Sequence, residues 1–110
     1  MNIKAFQQQV KELSQQLSTA TPERRVMYLV SELGEVVDEV IDLTHPDTNL
    51  SNEAREAIKA RLGLEIYDLI WNAVDLANLL DIDLEAAFEE KIAFNAKREW
   101  KHGAGDIQDE

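Results

Sequence analysis

Two acidic pairs in this sequence of 110 residues have a spacing that presents both carboxylates on one face of a helix. Glu32 is followed by Glu35, and Glu65 is followed by Asp68. If the two segments face each other, four carboxylates converge. Mg²⁺ takes oxygen ligands of this kind and keeps several waters. Bound there, it could polarise phosphate oxygens and activate a water, while a further carboxylate took the proton.

The first pair belongs to a longer acidic stripe beside an apolar one. On a helix, Glu32, Glu35, Glu39 and Asp42 fall within an arc of about 80°, whereas Asp38 lies nearer the outside. Leucine and valine side chains occupy the adjoining arc. The stripe alone is also typical of the solvated face of an amphipathic helix.

The second pair lies in a segment that is apolar around most of its circumference, which predicts a helix buried on nearly all sides. Glu65, Asp68, Asn72 and Asp75 nevertheless share one narrow arc. Because an isolated buried carboxylate is very costly, this stripe needs basic partners, a metal or a water-filled cleft. A partly exposed face or a structural network of ion pairs is the alternative.

A basic face follows near the C-terminus. Lys91, Asn95 and Arg98 recur at i, i+4 and i+7, and Phe88 extends that face, which predicts that it points inward. These groups would either form structural salt bridges with the acidic stripes or hold the anionic oxygens of a ligand near a metal.

Four helices are predicted to carry these residues. Apolar periodicity indicates helices from 3 to 17, from 22 to about 43, from 52 to about 80 and from 84 to about 100. Thr21, either Ser51 or Asn52, and Asp83 are expected to cap the last three. Gly63 is expected to mark a kink or a close contact. We predict one all-α domain, a four-helix bundle over residues 1–102, with residues 103–110 as a frayed tail.

Composition narrows the classes of partner. Acidic residues number 22 against 11 basic ones, a net charge of -11, which disfavours a nucleic acid polymer as a ligand. No apolar run is long enough to span a membrane, and nothing resembles a signal peptide. There is no cysteine, and the two histidines are unpaired in sequence, so zinc is not indicated. We expect a cytoplasmic protein.

The ordered pattern resembles a known family. Two acidic pairs, ELGE and EIYD, precede DIDLEAAFEEK and KIAFNAKREW, and together they resemble the MazG-like superfamily of all-α nucleoside triphosphate pyrophosphohydrolases over residues 22 to 100. The resemblance implies a helical homodimer or homotetramer. It also implies Mg²⁺-dependent hydrolysis of a nucleoside triphosphate to the monophosphate and pyrophosphate, with Mn²⁺ as a substitute ion. Such an enzyme would remove non-standard or surplus nucleotides, a house-cleaning role.

The resemblance also implies roles for particular residues. Glu32, Glu35, Glu65 and Asp68 would bind the metal, while Asn72, Lys91, Asn95 and Arg98 would bind the nucleotide. Glu32 and Glu35 would therefore be catalytic, and the position of Glu39 in the acidic stripe suits an outer-shell or base role. Which carboxylate is the general base, the number of ions and the nucleotide base and sugar stay open.

Two departures from the family pattern bear on the substrate. The connector between the acidic pairs is long, and Asn72 follows Trp71 where an aromatic residue is common. Two other functions remain open: hydrolysis of a diphosphate bond as in phosphoribosyl-ATP, and a non-catalytic helical module that binds a nucleotide or a protein.

Overall fold

Four helices make up the described chain, and no strand occurs in that part of it, which confirms the all-α prediction. The computed structural model describes residues 1–17, 20–45 and 49–102. The helices are α1 (Ile3–Leu17), α2 (Pro22–Thr44), α3 (Asn52–Leu79) and α4 (Leu84–His102). The predicted tail, residues 103–110, and Pro46 of the predicted loop lie outside the described residues.

The helices begin where the sequence predicts, because each start is fixed by local chemistry. Three side-chain oxygens accept a hydrogen bond from the backbone N–H three residues further on: Thr21 at 3.2 Å, Ser51 at 3.1 Å and Asp83 at 3.3 Å. Pro22 follows Thr21 in the first turn of α2, where the missing N–H costs nothing. These caps confirm the predicted starts of α2, α3 and α4.

The end of α3 is a tight left-handed turn. Asp81 has a φ of 56°, and its N–H donates to the carbonyl of Asn78 at 3.2 Å. The N–H of Ile82 donates to the carbonyl of Ala77 at 2.9 Å. This pair of bonds is the Schellman arrangement, which satisfies carbonyl groups that the helix end leaves without partners. The turn ends α3, and α4 begins at Leu84.

The close contact predicted as one alternative at Gly63 is wrong, and the helix is not interrupted there. α3 continues without a break from Asn52 to Leu79, and a Cβ added at Gly63 would meet nothing within 4 Å. The apolar and polar stripes on either side of Gly63 are therefore parts of one helix, and they keep one register along its length.

The α2–α3 hairpin is the main packing unit, and α1 lies across α3 and α4. Gln7 anchors α1 to the turn between α3 and α4. Its amide nitrogen donates to Asn78 Oδ1 at 3.0 Å and to the carbonyl of Ile82 at 2.7 Å, and its Oε1 accepts from the N–H of Leu84 at 3.1 Å. The Phe6 ring also meets the Tyr67 ring edge-on, with centroids 6.1 Å apart. One glutamine thus joins three helices.

The single chain leaves much apolar surface exposed, so the prediction that α3 is buried on nearly all sides is wrong for the single chain. Leu64, Ile66, Tyr67 and Ile70 are 40% to 69% exposed. Only four apolar side chains of the described residues are buried: Val10, Ile58, Val74 and Ala77. The radius of gyration is 17.5 Å, whereas a compact domain of this length has about 13 Å. The four helices therefore do not close around one large core.

The predicted inward face of α4 is also largely wrong in this chain. Lys91 is exposed and Phe88 is half-exposed, although Asn95 and Arg98 are partly buried. α4 packs against α1, and its apolar residues stay open on the other sides. Among the described helices, none combines the length and apolar character needed to cross a bilayer.

Candidate metal centre

The α2–α3 hairpin brings both acidic pairs together, as the spacing predicts. One oxygen from each of Glu32, Glu65 and Asp68 lies within 4.8 Å of the other two, so these three residues could hold a metal ion. Glu35 is close enough to both Glu32 and Glu65 for its charge to raise the pKa of each. We call these four residues the carboxylate cluster. The four predicted metal ligands therefore form one group on the facing sides of α2 and α3.

The size and chemistry of the cluster fit a small divalent cation. Opposite oxygens around an octahedral Mg²⁺ ion are about 4.2 Å apart, since each lies about 2.1 Å from the metal. The three oxygens lie within 4.8 Å of one another, a limit about 0.6 Å longer than that span. Oε2 of Glu32 and Oε2 of Glu65 are buried and have no hydrogen-bond partner. Buried oxygens normally have such a partner, so these two are free to act as ligands.

The electrostatics show how poorly the cluster tolerates its own charge. A shared proton with Glu35 is the main cause that raises the pKa of Glu65 to about 7, and loss of water and the negative charges of Glu35 and Glu32 add to it. Burial raises the pKa of Glu32, helped by the negative charges of Glu35 and Asp68. Raised carboxyl pKa values in one cluster are typical of functional sites. A cation would relieve the repulsion that raises them.

A second polar group on the same helix interface was missed at the sequence level. The buried Arg25 binds Asp75 through Nε and Oδ2 at 2.9 Å, and its Nη1 donates to Asn72 Oδ1 at 2.7 Å. Its guanidinium carbon lies 5.3 Å from the ring centroids of both Tyr28 and Trp71. The basic partner that the stripe of α3 requires thus comes from α2. Arg25 lies two helical turns before Glu32, on the same face of α2 as the acidic stripe. This spacing could have identified Arg25 from the sequence as a partner of the stripe on α3.

The remaining predicted site residues lie at different places. Asn72 is buried, and its amide nitrogen donates to the carbonyl of Asp68 at 2.9 Å, so both of its amide atoms bind within the protein. Glu39 lies one heptad beyond Glu32 and accepts a hydrogen bond from Arg61 Nε at 3.1 Å. Asp38 is exposed. Roles for Asn72 in substrate binding and for Glu39 in proton transfer stay predictions.

The basic face lies on α4, apart from the helix pair that carries the cluster. The Lys91 ammonium and the Arg98 guanidinium each lie over the Phe94 ring, at 5.8 and 5.7 Å from its centroid. Asn95 Oδ1 is buried without a hydrogen-bond partner. Contact between these three residues and a nucleotide remains a prediction.

Comparisons with family models, with curated proteins and with solved structures gave no match for this chain. The functional conclusion therefore depends on the carboxylate cluster and on the resemblance of its sequence motifs.

Proposed function

We propose that this chain is a divalent-cation-dependent nucleotide pyrophosphohydrolase of the MazG-like kind, which works in the cytoplasm as a homo-oligomer. Its substrate would be a nucleoside triphosphate, and its products the monophosphate and pyrophosphate. The observation that carries the proposal is the convergence of Glu32, Glu65 and Asp68, two of which contribute buried oxygens without hydrogen-bond partners. The ordered motifs that resemble the superfamily give the choice of substrate.

Glu32, Glu65 and Asp68 would hold Mg²⁺, or Mn²⁺ in its place, and Glu35 would complete the carboxylate cluster. The bound cation would supply Lewis-acid polarisation of phosphate oxygens. Glu35 is exposed, lies beside Glu32 and Glu65 and is not one of the three converging residues, so it suits the acceptance of a proton from the attacking water. Lys91 and Arg98 would offset the negative charge of the triphosphate.

The homo-oligomer is proposed from a continuous exposed apolar surface on the hairpin. Positions 26, 30, 33, 37 and 40 of α2 repeat at steps of three and four, and every one is Val or Leu and is 40% to 65% exposed. Ile66 of α3 follows Glu65 by one residue, as Leu33 follows Glu32 on α2, and this offset puts the two on the same side of antiparallel helices. Ile70 is exposed one turn further along α3. We call these seven residues the apolar seam.

A second copy of the chain is the proposed occupant of the apolar seam. An exposed patch of this kind marks an interaction site. The small core and the large radius of gyration indicate a chain that must share burial with a partner. Symmetric homodimers, which pair the same patch on two subunits, are the commonest oligomers.

The activity is tested by measuring pyrophosphate release with Mg²⁺ across a panel of nucleoside triphosphates that also includes phosphoribosyl-ATP. We expect release from at least one triphosphate, with loss on chelation. Glu35→Gln and Asp68→Asn should each lower the rate by at least about 100-fold, since even supporting residues of metal sites contribute 10–100-fold. Asp38→Asn is the matched control, because it removes the same charge from an exposed position of α2.

Three results would count against the proposal in different ways. No release from any compound would favour a non-catalytic binding module. Release from phosphoribosyl-ATP alone would move the substrate to that class. Activity that survives both Glu35→Gln and Asp68→Asn would place the reaction outside the carboxylate cluster.

A further inference from the structure

The polar contacts between α2 and α3 form layers that repeat every seven residues. A step of seven residues toward the C-terminus of α2 is matched by a step of seven residues back along α3. Seven residues are about two helical turns, so successive layers are about 10 Å apart along one seam. The three layers are Arg25 with Asp75, Glu32 with Asp68, and Glu39 with Arg61.

The two outer layers are ion pairs of opposite charge. Arg25 and Asp75 are 2.9 Å apart, with side chains only 8% and 2% exposed. Arg61 and Glu39 are 3.1 Å apart and lie nearer the solvent. Opposite charges at these distances attract each other, and Arg61 Nε also donates a hydrogen bond to Glu39, so each pair favours one position of α2 along α3.

The middle layer differs in kind, because it sets carboxylates from both helices against each other. Their mutual repulsion favours movement of α2 away from α3 or along it. The attraction in the two outer layers opposes that movement. The layers are therefore arranged so that ion pairs on both sides hold a repulsive layer in place.

A direct chain of hydrogen bonds also joins the buried outer layer to the middle one. Arg25 donates to the Asn72 side chain, and Asn72 donates to the backbone carbonyl of Asp68. The Arg25 guanidinium carbon also lies 5.3 Å from the ring centroids of Tyr28 and Trp71. Arg25 is thus connected to the helical turn that carries one member of the carboxylate cluster.

We propose that the Arg25–Asp75 and Glu39–Arg61 pairs are positioning residues that set the register of α2 on α3 and thereby bring Glu32 against Glu65 and Asp68. This inference uses the cation site of the proposed function, and it adds residues that do not themselves bind the ion. It assigns Glu39 a positioning role through Arg61.

The first experiment measures Mn²⁺ affinity by isothermal titration calorimetry on the full chain. Arg25→Met and Asp75→Asn should each weaken Mn²⁺ binding by about tenfold or more, the usual effect of residues that support metal ligands. Val10→Ala is the matched control, since it creates a cavity at a buried position of α1. It should lower the melting temperature and leave the Mn²⁺ affinity unchanged. If Arg25 only stabilised the fold, the Arg25→Met variant would show this same pattern.

The second experiment measures the register itself, without using a metal. The chain has no cysteine, so nitroxide labels can be placed at Glu23→Cys on α2 and Glu56→Cys on α3. In the antiparallel hairpin these two sites are about 30 Å apart along the axis, and a slip of one turn changes that by about 5 Å. Electron–electron resonance on labelled chains diluted with unlabelled chains gives the distance within one subunit.

We expect Arg25→Met to shift or broaden this distance and Val10→Ala to leave it unchanged. If Arg25→Met does not fold, Arg61→Gln provides the same test at the more exposed pair. An unchanged distance together with unchanged Mn²⁺ affinity in a folded variant overturns the inference. Failure of the parent chain to bind Mn²⁺ overturns the cation site instead, and the distance alone then decides whether the pairs set the register.

Discussion

Protons and the metal should compete for the carboxylate cluster near neutral pH. The pKa of Glu65 is raised to about 7, and a metal ligand must be deprotonated. Relative to the Kd for Mn²⁺ when Glu65 is fully deprotonated, the apparent Kd is therefore higher by a factor of about 1.1 at pH 8, about 2 at pH 7 and about 11 at pH 6. We expect Mn²⁺ to bind about tenfold more weakly at pH 6 than at pH 8. The raised pKa of Glu32 acts in the same direction.

Isothermal titration calorimetry at pH 6, 7 and 8 and constant ionic strength measures this dependence. Repeating each titration in buffers of different ionisation enthalpy gives the number of protons released on binding. With a pKa of about 7, that number should be about 0.9 at pH 6, about 0.5 at pH 7 and about 0.1 at pH 8.

The two measurements check each other, because the number of protons released must equal the fall in log Kd per pH unit. An affinity that stays constant from pH 6 to pH 8, without proton release, would show that Glu65 does not bind the ion. Glu65→Gln removes the titrating group, so any residual binding by that variant should lose most of its dependence on pH in this range.

Three further predictions concern stability and assembly. Because the pKa of Glu65 is raised, the metal-free native state binds more protons than the unfolded chain between pH 4.5 and about 7. The contribution of protonated Glu65 to stability is therefore lost as the pH rises through that window. The melting temperature should fall there relative to Glu65→Gln, and a constant difference between the two would contradict this. Asp81→Gly should stabilise the chain by about 1 kcal/mol in thermal denaturation, because glycine adopts a φ of 56° without strain; no gain would mean that the Asp81 side chain offsets the strain. Leu33→Glu in the apolar seam should lower the mass found by light scattering, whereas the control Ala57→Glu, at an exposed position outside it, should not; an unchanged oligomer in Leu33→Glu would remove the seam from the interface.

The starts of the helices could be predicted because they depend on neighbouring residues. Thr21, Ser51 and Asp83 cap helices through bonds that reach three residues ahead, and the sequence displays that pattern directly. The convergence of Glu32 and Asp68 was also predictable, since spacing places each acidic pair on one face and a hairpin brings the faces together.

The errors occurred where the outcome depends on contacts between distant segments. An apolar helix surface indicates burial without indicating the partner, so the exposed Ile66 and Ile70 were taken for parts of an internal core. The partner of Asp75 was sought on α4, although Arg25 on α2 fills that role. Helical periodicity gives the face of each residue and leaves the register between two helices undetermined. Here the ion pairs of the hairpin supply that register.

Anomalous diffraction from crystals grown with Mn²⁺ decides the claim that Glu32, Glu65 and Asp68 bind a divalent cation. We predict an anomalous peak at coordination distance from oxygens of all three residues, with Glu35 beside it, and loss of that peak in Asp68→Asn. A chain that crystallises with the same hairpin and shows no peak between these carboxylates, at a Mn²⁺ concentration that supports pyrophosphate release, would contradict the claim.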